Sequence, residues 1–403
     1  MPCPIVRHGT LVLFGVLLLS ACVGPDRRNG ALPRTEPATV AAISVQAKTL
    51  RTQQPTPSRL PDVSPTDRPR SVPVTGLLVD PGQLPASLDV ESWCRDLAQS
   101  GVTTVVLEAW TTRPAAGAES HAMRPMGLYF PSSLGPMVRD VFGALIPAAH
   151  RHGLAVYASV GLRRPDWLDA GLGWFSQIYD PRRQAFRATD HVDLFHPVYQ
   201  EFLGGLLKDL AGSGVDGLVF RADRTIGPSA GATAFGLRGF ERDFGFRPDP
   251  IKLLGTGGGE DERASEFWQW VGWETRESQH VLNRLASGIK VQWPNLKVIL
   301  EVHHEAIVAP VQGLTRHGED VLEAIRGGYA ALMVADLTSG GERMITRMKE
   351  LVGAPERVWV LRPLAWRIGT QSEAPSVTIV RDRDAYLGEV GLIYYAAGRP
   401  TLP

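Results

Sequence analysis

An apolar run at residues 215–220 ends abruptly in Arg221-Ala222-Asp223. Successive side chains of a strand alternate faces, so Arg221 and Asp223 point the same way. A guanidinium and a carboxylate side by side at a strand end form either a salt bridge or part of a site that handles protons and hydroxyl groups. The pattern recurs along the chain. Glu301, His303 and Glu305 follow the run 296–300 on one alternating face, Asp80 follows 76–79, and Glu108 and Trp110 follow 103–107. Asp336 follows 330–334, Arg362 and Trp366 come after 358–361, and Tyr395 closes 391–395. Carboxylates mixed with aromatic rings suit a sugar. Its C–H faces pack on rings while its hydroxyls bond to carboxylates and arginines.

Three other motifs carry less. Gly227-Pro228-Ser229-Ala230-Gly231 has the spacing of a serine esterase, but that chemistry needs a tight strand–Ser–helix turn, and here a proline precedes the serine well past the strand. Gly255-Thr256-Gly257-Gly258-Gly259 lacks the lysine of a phosphate loop and runs into Glu260-Asp261-Glu262. His303 and His304 face opposite sides of an extended chain and make poor co-ligands for one ion, so neither a metal nor any other cofactor is expected.

The elements that must position these groups follow from periodicity. Eight short apolar runs, at 76–79, 103–107, 154–160, 215–220, 296–300, 330–334, 358–361 and 391–395, alternate with helical patterns. Pro197 opens one helix as a first-turn proline, with Val198, Phe202, Leu206 and Leu210 along one face. Phe267, Trp270, Val271, Val281, Leu285 and Ile289 mark a long helix stopped by Pro294. Near-continuous apolar strands alternating with helices predict a parallel sheet covered by helices. The expected fold class is α/β, a closed (β/α)8 TIM-type barrel, with a doubly wound open sheet as the alternative. Asp80-Pro81-Gly82 after the first strand is not a dinucleotide-binding turn, which favours the barrel. In such barrels the chemistry sits on the loops after the strands, where the charged residues above converge.

The flanking sequence reads differently. The chain has 403 residues and a formal net charge of zero, so nothing supports a nucleic-acid partner. Arg7 and His8 precede an apolar run at 11–19 that is too short to span a bilayer, and Leu19-Ser20-Ala21-Cys22 ends it. That ending resembles the bacterial lipobox. It implies a signal peptide at 1–21 and lipidation of Cys22, and Val23 after it favours the outer membrane, facing the periplasm. Residues 22–73 are rich in proline and poor in aromatics, and are expected to form the lipid anchor and a disordered tether to a globular part at 74–398. The expected partners are a membrane, reached through that anchor, and an oligosaccharide or polysaccharide.

The stretches GVTTVVLEAW at 101–110, GLYFP at 127–131, LAVYA at 154–158, LFHP at 194–197, DGLVF at 216–220 and the pair Tyr394-Tyr395 occur in that order. As an ordered set they resemble the C-terminal glycoside-hydrolase-like barrel of bacterial poly-β-1,6-N-acetylglucosamine N-deacetylases. The resemblance implies a barrel acting on an amino-sugar exopolysaccharide of biofilms or the cell envelope. The family's separate deacetylase domain has no counterpart in this sequence, so deacetylation is not implied. The family's fourth strand typically ends Phe-His-Asp-Asp, whereas this chain has Phe220-Arg221-Ala222-Asp223 and keeps one carboxylate of the pair. Glycosidases need two carboxyl groups, one of them protonated. An arginine beside Asp223 favours its ionised form, so the acid is expected from Glu301, Glu305 or Glu108. Two function classes stay open: a glycoside hydrolase with Asp223, Glu301 and Glu305 as catalytic candidates, and a non-catalytic carbohydrate-binding barrel that aids polymer export or retention. In either, Asp80, Glu108, Trp110, Arg221, His303, Asp336, Trp366 and Tyr395 are the candidate sugar contacts.

Overall fold

The computed structural model describes residues 73–111, 125–180, 183, 185–222, 231–249, 253, 265–335, 341–364 and 387–396. Eight parallel strands close into a barrel: β1 (Thr75–Val79), β2 (Thr104–Glu108), β3 (Ala155–Val160), β6 (Gly217–Phe220), β7 (Lys297–Val302), β8 (Ala331–Ala335), β9 (Val358–Leu364) and β10 (Gly391–Ala396). The order around the barrel is β1-β2-β3-β6-β7-β8-β9-β10, returning to β1. Each expected strand is present within three residues of its expected bounds, β9 running furthest past its expected end, to Leu364. The open-sheet alternative fails because β10 pairs with β1, Leu392 opposite Thr75 and Tyr395 opposite Leu78.

Helices α1 (Val90–Gln99), α2 (Phe142–Arg151), α3 (Pro197–Gly212), α4 (Ala234–Phe244), α5 (Ser265–Lys290), α6 (Val321–Arg326) and α7 (Gly341–Val352) pack outside it. Their starts are set by local chemistry. The Asp89 carboxylate accepts from the Glu91 and Ser92 amides at the head of α1, Thr233 accepts from Gly236 N at the head of α4, and His196 caps α3 ahead of Pro197. The long α5 buries Phe267, Trp270, Val271 and Trp273, and Phe240 of α4 packs its ring 5.5 Å from Trp270. One feature has no counterpart in the expected elements. The antiparallel hairpin β4 (Phe175–Asp180) with β5 (Ala185–Val192) stands in the long connection after β3. Most of β5 is exposed, so it lacks the buried periodicity by which the barrel strands declare themselves.

The barrel interior is filled. Leu78, Val106, Tyr157, Val219, Ile299, Met333, Trp359, Leu361, Ile393 and Tyr395 form one lumen cluster, separate from the larger core between strands and helices. Large rings are accommodated by glycines on neighbouring strands. Gly217 pairs with Tyr157 in register, and a Cβ there would lie 2.3 Å from the tyrosine ring and 2.6 Å from the Lys297 carbonyl. Gly391 plays the same part for Trp359, which its Cβ would meet at 2.7 Å. Gly217→Ala is therefore expected to cost roughly 1–3 kcal/mol in urea unfolding, since the backbone carbonyl cannot swing aside. A neutral outcome would mean that the lumen holds slack.

Cys94 on α1 is fully buried, and burial, aided by the Glu91 charge, pushes its thiol up to about 11. Reaction with a thiol reagent should require unfolding: the native protein is expected to leave Cys94 unlabelled, and urea to expose it.

Candidate active site

Strand alternation carries the lumen-facing series upward into charge. Val106, Val219 and Ile299 lie in the lumen cluster, and two residues on come Glu108, Arg221 and Glu301. They meet at the C-terminal mouth. Arg221 Nη1 donates to Glu108 Oε1 at 3.1 Å, and its Nε donates to Glu301 Oε2 at 3.4 Å. Both carboxylate side chains are 4 % exposed and Arg221 is 15 % exposed. Ser159, buried and opposite Glu108 in register, fills the β3 position between β2 and β6. The two carboxylates grip nitrogens of one small rigid group. Their contacting oxygens therefore lie no farther apart than roughly the 9.5 Å upper end of the separation that glycosidase carboxyl pairs use.

A second polar group gathers beyond β7. The strand ends at Val302, and a short helix begins at Glu305 (Glu305–Val308). His303 Nδ1 lies 2.8 Å from Glu319 Oε1, and its backbone N–H donates to Glu319 Oε2 at 2.8 Å, so one carboxylate clamps the residue twice. The ring stacks on His317, with centroids 3.7 Å apart and planes 10° apart. Burial opposes a charge on His303, but Glu319 beside it, with Glu301 and Glu305 behind, raises its pKa. This pairing stabilises the fold fully below about 6.5, the free imidazole value, and fades as pH rises through the raised folded value. Glu305 faces His304 at 3.1 Å and His317 at 3.4 Å. Burial works against its ionisation, yet its own backbone N–H and the histidine charges outweigh that and lower its pKa. Glu305 is thus held as a carboxylate, the wrong form for an acid.

The remaining expected site residues divide. Asp80 is half-buried at the end of β1 and caps the turn Pro81–Gln83, accepting from Gly82 N at 2.8 Å. Trp110 does not reach the mouth as an exposed ring. It bridges to Leu128, is 2 % exposed and belongs to the outer core, because β2 ends at Glu108 and the face alternation ends with it. A ring so covered offers no platform to a sugar. Tyr395 lies in the lumen cluster at 6 % exposure, packed within the barrel. Asp223, Asp336, Trp366 and Cys22 lie outside the described residues.

Other groups escaped sequence reasoning. Glu319 follows an irregular turn (Gly313–His317) and the left-handed Gly318, and no period links it to His303. Asp193 is buried beside the LFHP stretch. Burial raises its pKa, against the opposing pull of the Thr233 hydroxyl and the Phe195 N–H. Arg163 donates to Ser278 of α5 at 3.1 Å. Among the described residues no group of three or more His, Cys, Asp or Glu is arranged to hold a metal ion.

No family model and no curated protein matches the chain. Solved structures do. The PgaB (BpsB) glycoside hydrolase domain from Bordetella bronchiseptica superposes with a TM-score of 0.60 at 16 % identity, over 81 % of this chain and 94 % of that one. A beta-galactosidase from Rahnella sp. R3 gives 0.50 at 12 % identity, over 81 % of this chain and 50 % of that one. At such identities the likeness is one of fold, and the chain has the closed parallel barrel of the PgaB glycoside hydrolase domain, the barrel that its ordered motifs resemble.

Proposed function

We propose that the protein is a lipid-anchored glycoside hydrolase acting on an amino-sugar exopolysaccharide of the poly-β-1,6-glucosamine type, at the periplasmic face of the outer membrane. The observation that carries the reading is the pair of buried carboxylates, Glu108 and Glu301, at the C-terminal mouth of the barrel. Hydrolysis of a glycosidic bond needs one carboxyl group to protonate the leaving oxygen. A second must attack the anomeric carbon or take a proton from water. Asp223, two residues beyond Arg221 in the sequence, and Glu301 are the proposed principal pair, and Glu108 shares Arg221 with Glu301. The neighbouring PgaB domain is named for glycoside hydrolysis, which supports the class. The ordered motifs support the polymer and its biofilm or envelope setting, and the positions of Asp80, His303, Asp336 and Trp366 after apolar runs of the sequence support these residues as its contacts. Cys22 and the proline-rich segment after it support the anchor and the tether.

One observation favours a second reading, a barrel that binds the polymer without cleaving it. Arg221 is already bonded to both carboxylates, across the gap a scissile bond would have to share.

The two readings part in one experiment. The full chain is incubated with acetylated and deacetylated β-1,6-glucosamine oligomers, and products and binding are followed together. Cleavage supports the hydrolase, binding without cleavage the second reading, and neither sinks both. The anchor has its own test. Cys22→Ala is expected to leave the membrane fraction or remain uncleaved, and fractionation and maturation like the wild type would exclude lipidation.

A further inference from the structure

On the flank of the barrel an open groove of about 790 Å³ runs between the β2–α2 connection, the last turn of α3 and the turn after α5. Topology sets its place. Gly212 closes α3 ahead of β6, and Trp293 follows α5 ahead of β7, so the groove lies toward the N-terminal end of the barrel, away from the mouth. Its volume falls within the roughly 300–1,000 Å³ of ligand sites, room for a short run of sugar units.

The residues keep it open and fix one wall. Trp293 is half-buried, and the helix end beside it is an exposed glycine. A Cβ added at Gly212 would meet only the Trp293 ring, at 3.7 Å, so the glycine leaves that ring uncovered from α3. Ser132 Oγ accepts from Leu134 N at 3.1 Å and donates to Asp209 Oδ2 at 2.6 Å. This ties the β2–α2 connection to α3 and holds an exposed carboxylate in one direction. Lys208 and Gln292, both exposed, add donors.

The chemistry selects the ligand. One carboxylate and one ammonium cancel, so the groove has no net charge to hold a phosphate chain. Its apolar groups, Pro131, Met137 and Trp293, are outnumbered by polar side chains, where a protein interface would centre on an apolar core. An indole among hydroxyl, amide and carboxylate groups matches a polyol, whose C–H faces pack on the ring while its hydroxyls meet the polar wall. Resting on the carbohydrate reading above, we infer that this groove is a second polysaccharide-binding site, holding one stretch of the polymer while the mouth engages another. Two linked contacts raise the affinity for a long chain beyond that of either site alone.

The test is calorimetric titration of the full chain with a partly deacetylated β-1,6-N-acetylglucosamine polymer and, separately, with a short oligomer of the same units. Gly212→Gln lays a side chain over the Trp293 ring. Its Cβ meets nothing closer than ordinary contact, and glutamine favours a helix more than glycine does, so the melting temperature should not fall. Polymer affinity should nonetheless drop about tenfold, as when a contact aromatic is truncated, while the oligomer still binds at the mouth. Trp293→Ala should show the same drop, and Trp293→Phe, which keeps a ring, a smaller one. Melting curves identify the folded variants, and any of them suffices. Wild-type polymer affinity in folded Gly212→Gln or Trp293→Ala, with oligomer binding intact, would overturn the groove alone. Self-association of the wild type that Gly212→Gln abolishes would give the groove to a second copy of the chain and overturn it equally. If the wild type binds neither polymer nor oligomer, the carbohydrate reading itself falls, an outcome distinct from the other two.

Discussion

Arg221→Met is expected to destabilise the barrel by about 3–5 kcal/mol in urea unfolding, the cost of breaking a buried ion pair from one side. The substitution removes the cation and leaves Glu108 and Glu301, each 4 % exposed, facing one another across the mouth. Such carboxylates have surrendered most of their hydration and depend on the guanidinium to replace it. The triple variant Glu108→Gln, Arg221→Met, Glu301→Gln should recover much of the loss, because no uncompensated charge remains. Arg221→Lys should fall between them. A point ammonium cannot span two carboxylates as the rigid guanidinium does. A loss below about 1 kcal/mol, the value of an exposed pair, would show that water reaches the mouth and that the trio is not a buried network.

That trio also marks how far the sequence could be read. The eight barrel strands were legible because both their faces are buried, which writes continuous apolar runs into the chain. The β4–β5 hairpin was not, since its second strand is mostly exposed and leaves no such trace. Glu108, Arg221 and Glu301 were legible as charges at strand ends. The partners of Arg221 were not. Asp223 stands two residues away in sequence, yet β2 and β7, distant in the chain, deliver the two carboxylates that Arg221 holds in the described structure. Period-two reasoning also has a limit. It places Glu301 correctly within β7, but Glu305 already belongs to a helical turn, and Trp110 has left β2 for the outer core. Alternation holds only as long as the strand does. His303 lies at that boundary, and its ring is fixed by Glu319, from a turn with no period to announce it.

The larger functional effect is expected at Glu301. On any oligomer that the wild type cleaves, Glu301→Gln should lower kcat by roughly 10²–10⁴-fold, the range for losing a positioned acid or base. The amide keeps the side-chain shape and one acceptor for Arg221, so affinity should change little. Asp223→Asn should show the same split between turnover and binding if the two form the working pair, since an amide neither attacks nor accepts a proton. Glu305→Gln supplies the contrast. Its carboxylate is committed to His304 and His317 and kept ionised by them, so cleavage should persist within a few-fold. Cleavage surviving in Glu301→Gln would make that residue a structural counter-ion of Arg221 and remove it from the chemistry. Loss in Glu108→Gln alone would move the acid or base role across the mouth to β2. Equal, modest losses in all four variants would indicate that the carboxylates orient the sugar together and that none of them alone is the acid or base.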